Sequence, residues 1–167
     1  MRLGTYNSVV PVDPHAVQIS VDGSCFPNER RISGYGGVVV YPGDDIEHEV
    51  AFQGFRESTI NRMELSACIA AMKWVKEQGI GRSFSRVQIF SDSRYVVDGQ
   101  LSAPYWQRDG WRNSAGRPIL NADLWKEFQS AKSKAGVRID ILKVVNKSTP
   151  RLRRVDEARP PPTPRFD

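Results

Sequence analysis

Apolar residues recur along this 167-residue chain with two different spacings, and the changes of spacing outline its secondary structure. Alternation of apolar and polar residues predicts β-strands, whereas apolar residues three or four positions apart predict helices. Strand patterns occur at Val17–Cys25, Gly36–Tyr41, Glu47–Phe55, Val87–Ser91 and Val137–Val145. Helix patterns occur at Asn61–Gln78, Arg94–Leu101, Pro104–Arg112 and Asn121–Ala135. The chain therefore begins with three strands and then alternates helices with further strands.

The order of these elements predicts how the sheet is arranged. Short links between the first three strands favour an antiparallel meander, and helical crossovers favour parallel addition of the later strands. We predict an α/β fold with a mixed five-stranded sheet, three antiparallel strands followed by parallel additions, and helices on both faces. Residues 1–15 are expected to form a flexible arm, 16–158 the domain, and 159–167, with four prolines, a disordered tail.

Composition adds expectations about partners and compartment. The 24 Lys and Arg residues exceed the 19 Asp and Glu residues, and the resulting net charge of +5 favours a polyanionic partner. No apolar run reaches membrane length, Met1–Pro14 lacks the pattern of a signal peptide, and Cys25 and Cys68 have no metal-ligand spacing. We therefore expect a cytoplasmic protein with no membrane partner. We also expect a monomer.

Four acidic residues lie where predicted elements begin or end: Asp22, Glu64, Asp92 and Asp156. Carboxylates that converge in a fold repel one another unless cations lie between them, and hard divalent ions prefer oxygen ligands. A carboxylate-lined site that holds two metal ions is suited to in-line displacement at a phosphodiester. The four acids together lead to the hypothesis of a nucleic-acid phosphodiester hydrolase.

Each of these acids also has a purely structural interpretation. Asp22-Gly23 is a typical turn dipeptide, and Asp92 could cap the helix that follows it. Glu64 fits the third position of a capping box begun by Asn61. Asp156 could be a solvated charge. For any one residue the structural interpretation is the more common, so the hypothesis depends on the four acids jointly.

The acids belong to a series of short motifs that resembles bacterial-type ribonuclease H, type 1 class. The resemblance extends over about residues 16–158, and the motifs follow the same order along the chain. They are DGSC within Val17–Cys25, GYGG at Gly34–Gly37, NRMEL at Asn61–Leu65, SDSRYV at Ser91–Val96, YWQRDGW at Tyr105–Trp111, NADLW at Asn121–Trp125 and VDEA ending at Ala158. The resemblance implies an endonuclease that cleaves the RNA strand of RNA–DNA hybrids with two Mg²⁺ ions, or Mn²⁺, leaving a 3′-hydroxyl and a 5′-phosphate.

The resemblance also implies roles for individual residues. The catalytic and metal-binding carboxylates would be Asp22, Glu64, Asp92 and Asp156. The substrate-binding residues would be Asn28, Asn61 and Arg94 at the minor groove or RNA strand, Thr59 and Asn121 at a DNA-strand phosphate, and Trp106, Arg108 and Trp111 in a basic protrusion. The alternative role for Thr59 and Asn121 is helix capping. The alternative for the protrusion is a helix hairpin that is held together by packing of its aromatic side chains.

Three features depart from the family pattern. Asn146 occupies the position of an auxiliary histidine, Arg94 stands where many members have glutamine, and Pro160–Pro162 interrupt the helix expected after Asp156. Two other functions therefore stay open: a hybrid- or nucleic-acid-binding module with weakened catalysis, and a hydrolase of another nucleic acid such as structured DNA. Cleavage assays on different nucleic acids would separate the three.

Overall fold

The predicted strands and helices are present in the computed structural model, which describes residues 10–25, 34–44 and 46–144. The strands are β1 (Val17–Cys25), β2 (Gly34–Val40), β3 (His48–Gln53), β4 (Arg86–Ser91) and β5 (Arg138–Lys143). The helices are α1 (Ile60–Glu77), α2 (Arg94–Arg108) and α3 (Ala122–Lys134), with a 3₁₀ turn at Ile80–Arg82 after α1. Within these ranges, each strand pattern therefore coincides with a strand.

The five strands form one sheet in the order β3-β2-β1-β4-β5. β1 pairs antiparallel with β2, and β2 pairs antiparallel with β3, whereas β4 runs parallel to both β1 and β5. The predicted mixed sheet is therefore confirmed. The pairing of β1 with β2 shifts register between Asp22 and Cys25, so the central strand is irregular next to the first predicted carboxylate.

The apolar residues of the strands and helices form a continuous core. Its largest fully buried side chains are Tyr35, Phe52, Trp125 and Phe128. α1 contacts α2 and α3, and α2 contacts α3, so the three helices pack together on one face of the sheet. Val38 and Val40 form a separate small cluster on the other face. Of the helices predicted on both faces, those in the described ranges lie on one.

α2 is a single helix where the sequence pattern predicted two. It continues through Pro104, although proline has no N–H to donate and its ring crowds the carbonyl four residues earlier. Pro104 is exposed, whereas Ala103 is fully buried and the ring centroid of Trp106 lies 5.6 Å from that of Trp125 in α3. This packing on either side of Pro104 offsets the proline penalty of about 3 kcal/mol.

The described part of the predicted N-terminal arm is hydrogen-bonded to the sheet. The Gln88 side chain of β4 accepts a bond from the Asp13 N–H at 2.7 Å and donates to the Pro11 carbonyl at 3.0 Å. Arg86 forms an ion pair with the Asp13 carboxylate at 3.1 Å. Gln88 is fully buried, so these bonds satisfy an amide that would otherwise be costly to bury. Residues 11–13 are therefore attached to β4.

Several predicted features lie outside the described residues. They are the first nine residues of the arm, Asn28, Asn146, Asp156 and the Pro-rich tail 159–167. Within residues 10–25, 34–44 and 46–144, the helices are too short or too polar to cross a membrane.

Candidate active site

Three of the four predicted carboxylates come from neighbouring elements. Asp22 lies in β1 just beyond the residues that pair with β4, and Asp92 directly follows β4. Because β1 and β4 are parallel, their carboxyl ends meet at the same edge of the sheet. Glu64 belongs to α1, which packs against β1. Charges on Asp92 and Asp22 both act on Glu64, so the three carboxylates are close enough to interact.

Glu64 has the most unusual environment of the three. Burial, then the charges of Asp92 and Asp22, raise the pKa of Glu64 to about 7, while the backbone N–H of Gly23 opposes this increase. The Glu64 Oε1 atom is buried and has no hydrogen-bond partner among the described residues. A buried carboxylate oxygen without a partner is costly unless a proton or a cation binds it. The Glu64 carboxylate is therefore suited to binding either a proton or a cation.

Gly23 allows the Glu64 carboxylate to approach the backbone of β1. A Cβ atom at position 23 would lie 2.4 Å from the Glu64 Cδ atom, which is too short for any real contact. The dipeptide Asp22-Gly23 lies inside β1, so its interpretation as a turn is wrong. The glycine is explained instead by the closeness of the carboxylate.

Neither Glu64 nor Asp92 caps a helix. The N-cap of α1 is Thr59, whose Oγ1 accepts a hydrogen bond from the Arg62 N–H at 3.2 Å. The N-cap of α2 is Ser93, whose hydroxyl accepts a hydrogen bond in the first turn at 3.2 Å. The capping interpretations of both acids are therefore wrong, because other side chains satisfy these N–H groups. The capping role of Thr59 itself is confirmed.

The chemistry of these side chains fits a divalent cation. All three supply carboxylate oxygens, which hard ions prefer, and Glu64 Oε1 lacks another partner. In the part of the chain that the structure describes, no three His, Cys, Asp or Glu residues are arranged so that they could hold an ion. Magnesium commonly keeps several waters and takes only one or two carboxylates plus substrate phosphates. The carboxylates therefore suit an ion that shares its ligands with water and substrate.

Thr59 and Asn121, the residues expected at a phosphate, are linked through Arg62. The Arg62 backbone N–H donates to Thr59, and its guanidinium Nη1 donates to Asn121 Oδ1 at 3.0 Å. Asn121 precedes α3 with a left-handed φ of 60°, but its side chain makes no capping bond. Capping is therefore wrong for Asn121, whose amide is held by residues distant in sequence.

Asn61 and Arg94 are exposed in the first turns of α1 and α2. Along the chain they lie three residues before Glu64 and two residues after Asp92. Both side chains are therefore near the carboxylate edge of the sheet and accessible to a large ligand.

The segment 105–118 directs its two tryptophans inward and Arg108 outward. Trp106 and Trp111 are half-buried and pack against the core. Arg108 is exposed and lies 5.1 Å above the centre of the Tyr105 ring. The tryptophans thus match the structural hairpin interpretation, whereas Arg108 is on the surface, where its Nε pairs with the exposed Asp109 at 3.1 Å.

Arg62 and Tyr95 were not singled out from the sequence, although both lie inside the motifs. Arg62 binds Asn121 and Asp123, while the Tyr95 hydroxyl accepts bonds from Asn121 Nδ2 at 2.9 Å and Trp125 Nε1 at 3.0 Å. The partners are 26 to 61 positions apart in the chain. The spacing of residues in a single sequence does not indicate such long-range pairs. The only sequence feature that pointed to Arg62 and Tyr95 was their place inside the family motifs.

Lys143, at the end of β5, is a further residue that the sequence did not indicate. Its Nζ donates to the Asp92 carbonyl at 3.3 Å and to the Val144 carbonyl at 3.2 Å. This ammonium group places a positive charge beside the loop that carries Asp92.

Known proteins resemble this chain in both sequence and structure. A family model described as RNase H matches residues 14–146. A ribonuclease H of Psychromonas ingrahamii is 37% identical over 120 residues, 71% of each chain. LC9-RNase H1, a type 1 RNase H with the type 2 active-site motif, is 29% identical and has a TM-score of 0.54, covering 84% of this chain and 67% of its own. A foamy viral protease-reverse transcriptase in complex with RNA/DNA hybrid shares the fold, with 20% identity, a TM-score of 0.58, and coverage of 89% and 20%.

Proposed function

Because this chain belongs to the ribonuclease H family, we propose that it is an endonuclease that hydrolyses the RNA strand of RNA–DNA hybrids. Residues 16–158 would form the catalytic domain, and the products would carry a 3′-hydroxyl and a 5′-phosphate. The observation that supports this proposal is the approach of Asp22, Glu64 and Asp92, with the Glu64 Oε1 atom buried and unpaired among the described residues.

The family depends on divalent metal ions, and here we propose two Mg²⁺ ions, with Mn²⁺ as a substitute. The residues that would hold them are Asp22, Glu64, Asp92 and Asp156. Metal ions held there would supply activation of the attacking water and stabilisation of the leaving oxygen. Glu64 would give up its proton as a cation replaces it, because the cation offsets repulsion from the two aspartates. Metal binding near neutral pH should therefore release a proton.

We propose that polar, basic and aromatic side chains bind the hybrid. Recognition of the 2′-hydroxyls and of groove shape would distinguish a hybrid from duplex DNA. The proposed contacts are Asn28, Asn61 and Arg94 at the minor groove or RNA strand, Thr59 and Asn121 at a DNA-strand phosphate, and Arg108 on a protrusion held by Trp106 and Trp111. Asn146, in the position of the auxiliary histidine, cannot relay a proton, because an amide does not titrate.

The function is tested with labelled RNA–DNA hybrid, duplex RNA, single-stranded RNA and duplex DNA, each with Mg²⁺, with Mn²⁺ and with EDTA. We expect cleavage of the hybrid RNA strand alone, and only with metal. Asp22→Asn and Asp92→Asn should abolish cleavage, while metal-free stability holds or rises because repulsion among the acids is relieved. Asp98→Asn, which neutralises an exposed acid of α2, is the matched control and should cleave normally.

The outcomes test the carboxylate assignment and separate the three functions. Continued cleavage by both aspartate variants would contradict the carboxylate assignment. Tight hybrid binding without cleavage in either metal would favour the binding module, and cleavage of duplex RNA, single-stranded RNA or duplex DNA in place of the hybrid would favour the third function. The cytoplasmic location stays a prediction from the sequence.

A further inference from the structure

The hydrogen bonds around Asn121 determine which way its side-chain amide faces. An arginine has N–H donors and no acceptor, so the Asn121 atom that lies 3.0 Å from Arg62 Nη1 must be the oxygen. The amide nitrogen then faces Tyr95, whose hydroxyl oxygen accepts its N–H at 2.9 Å. The two contacts require the same orientation, and they hold the amide from both ends.

Arg62 is itself held in place by two carboxylates. Its Nη1 and Nη2 atoms donate to the two oxygens of Asp123 at 3.0 and 2.7 Å, and its Nε donates to Glu57 at 3.0 Å. The paired bonds to Asp123 fix the plane of the guanidinium. The bond to Asp123, and then that to Glu57, raise the pKa of Arg62 against the effect of burial. Arg62 is therefore a fixed donor that stays charged.

Tyr95 is fixed by the core. Its hydroxyl also accepts the Trp125 Nε1–H bond at 3.0 Å, and the two ring centroids are 5.8 Å apart. Trp125 is fully buried, so the Tyr95 oxygen is anchored to a residue that cannot move freely. The first Nδ2 hydrogen of Asn121 points to this oxygen, which leaves the second hydrogen directed elsewhere.

The orientation of the amide determines which ligand it can bind. With Oδ1 turned to Arg62, the group that Asn121 has left to offer is an N–H donor. A phosphate oxygen accepts hydrogen bonds and would be repelled by an amide oxygen in the reverse orientation. Thr59 is similar, because its Oγ1 accepts the Arg62 N–H while its own hydroxyl hydrogen can donate.

We propose that Arg62 and Tyr95 are positioning residues that lock the Asn121 amide with its nitrogen toward a phosphate of the DNA strand. The inference rests on the proposed function, since it specifies how the Thr59–Asn121 pocket receives that phosphate. Arg62 joins both pocket residues to the first turn of α1, and Tyr95 joins the pocket to the first turn of α2. The pocket is thereby connected to α1, which carries Glu64, and to α2, which begins just after Asp92.

Tyr95→Phe is the most direct test, because it removes one hydroxyl and changes no charge. The Kd for a hybrid is measured in EDTA, and kcat and KM are measured in Mg²⁺. We expect Kd and KM to rise about 3- to 10-fold, the worth of roughly one hydrogen bond, with kcat unchanged. Arg62→Lys keeps the charge but loses the paired bonds to Asp123, and it should change Kd and KM in the same direction.

A double-variant cycle tests whether these residues act through the amide. Asn121→Gly removes the side chain, and glycine accepts the φ of 60° without strain. In the Asn121→Gly background, Tyr95→Phe should have no further effect on Kd. In a second test, one DNA phosphate of the hybrid is replaced by an uncharged methylphosphonate, at a different position in each substrate. At one of these positions, Tyr95→Phe should no longer change Kd.

Lys73→Gln provides a matched control for structural effects. The Lys73–Glu127 ion pair also joins α1 to α3, at 3.1 Å, but it is half-exposed and is not bonded to Asn121. Its loss should leave hybrid affinity unchanged, and thermal unfolding of each variant verifies that the fold persists.

The result that overturns the positioning role is specific. Unchanged affinity in both Tyr95→Phe and Arg62→Lys, or equal effects of Tyr95→Phe with and without the Asn121 amide, would contradict it even if the wild type cleaves hybrids. Failure of the wild type to cleave hybrids would contradict the proposed function instead, while the metal-free binding measurements would still test the amide orientation.

Discussion

Glu64 shows how one residue can make the metal-free fold less stable. Burial and the charges of Asp92 and Asp22 raise the pKa of Glu64 from 4.5 to about 7. The folded state therefore binds a proton more tightly than the unfolded state does between these two values. By linkage, ionisation of such a group destabilises the folded protein, so stability should fall as pH rises through this window.

We expect the free energy of unfolding of the metal-free protein to fall by about 1–2 kcal/mol between pH 4.5 and 7. This is less than the full shift implies, because solvent screens part of the charge. Glu64→Gln cannot ionise and should abolish the decline, whereas Glu77→Gln, at an exposed acid of the same helix, should not. Urea unfolding in EDTA across this pH range measures the effect. Coinciding curves for the wild type and Glu64→Gln would contradict it.

Gly23 provides a second prediction at the level of a single residue. In Gly23→Ala the new methyl group would displace the Glu64 carboxyl, which lies at the end of a flexible side chain, so we expect a loss of only about 0.5–1 kcal/mol in unfolding free energy, but loss of cleavage. In a Glu64→Ala background the obstacle is gone, and Gly23→Ala should cost much less. A double-mutant cycle by urea unfolding measures this coupling, and additive losses would show that the two residues do not meet.

The ion-pair cluster at the edge of the proposed phosphate pocket contains two acidic residues and one basic residue. Glu57, which precedes α1, and Asp123, in the first turn of α3, both bind the Arg62 guanidinium. Two carboxylates around one guanidinium leave a net charge of about −1 beside Asn121. A phosphate held there would be repelled by the uncompensated charge.

Glu57→Gln should therefore tighten hybrid binding, because glutamine keeps an acceptor oxygen for Arg62 and removes the charge. We expect a Kd about 2- to 5-fold lower at low salt, with the difference shrinking as salt screens the repulsion. Glu127→Gln, at the acid that pairs with Lys73, serves as the control and should leave Kd unchanged. Metal-free binding measured against salt concentration tests this, and weaker binding by Glu57→Gln would show that Glu57 mainly supports Arg62.

Periodicity predicted the elements well and their ends less well, for a physical reason. Burial of one face imposes a repeat along each strand and helix, so β4 and α1 could be identified from local sequence. A helix start depends on which nearby oxygen reaches a free N–H: Thr59, one of the two candidates, does so, and the capping box begun by Asn61 does not form. Pro104 predicted a break, but packing of Ala103 and Trp106 outweighs the penalty.

The same distinction applies to the candidate site. Asp22 and Asp92 could be placed together from the sequence, because the ends of parallel strands meet at one edge. The bonds of Asn121 to Arg62 and Tyr95 join residues far apart in the chain, and no local pattern encodes them. Short-range chemistry was therefore predictable, and the long-range hydrogen bonds that orient it required the fold.

For the molecule as a whole, the net charge of +5 favours binding to a polyanion. The segment 105–118 carries part of this charge in Arg108 and Arg117, both exposed. Arg112 has a structural bond, since its Nη1 donates to the Gly116 carbonyl at 2.9 Å. Arg108 also has a bond, since its Nε pairs with Asp109 at 3.1 Å, but both side chains are exposed, so Arg108 and Arg117 are the candidates for contacts with the nucleic-acid backbone.

Replacing Arg108 and Arg117 by alanine should weaken hybrid binding and make it less sensitive to salt. Each lost phosphate contact should reduce the slope of log Kd against log salt concentration by about 0.7–0.9, because fewer counterions are released. The cleaved strand should not change, since these residues contact the backbone and not the reacting phosphate. As a control, Lys76→Ala removes a positive charge from the last turn of α1, at the end of that helix away from Glu64, and should leave the slope unchanged. Equal slopes for the wild type and the double variant would mean that the segment 105–118 only stabilises the fold.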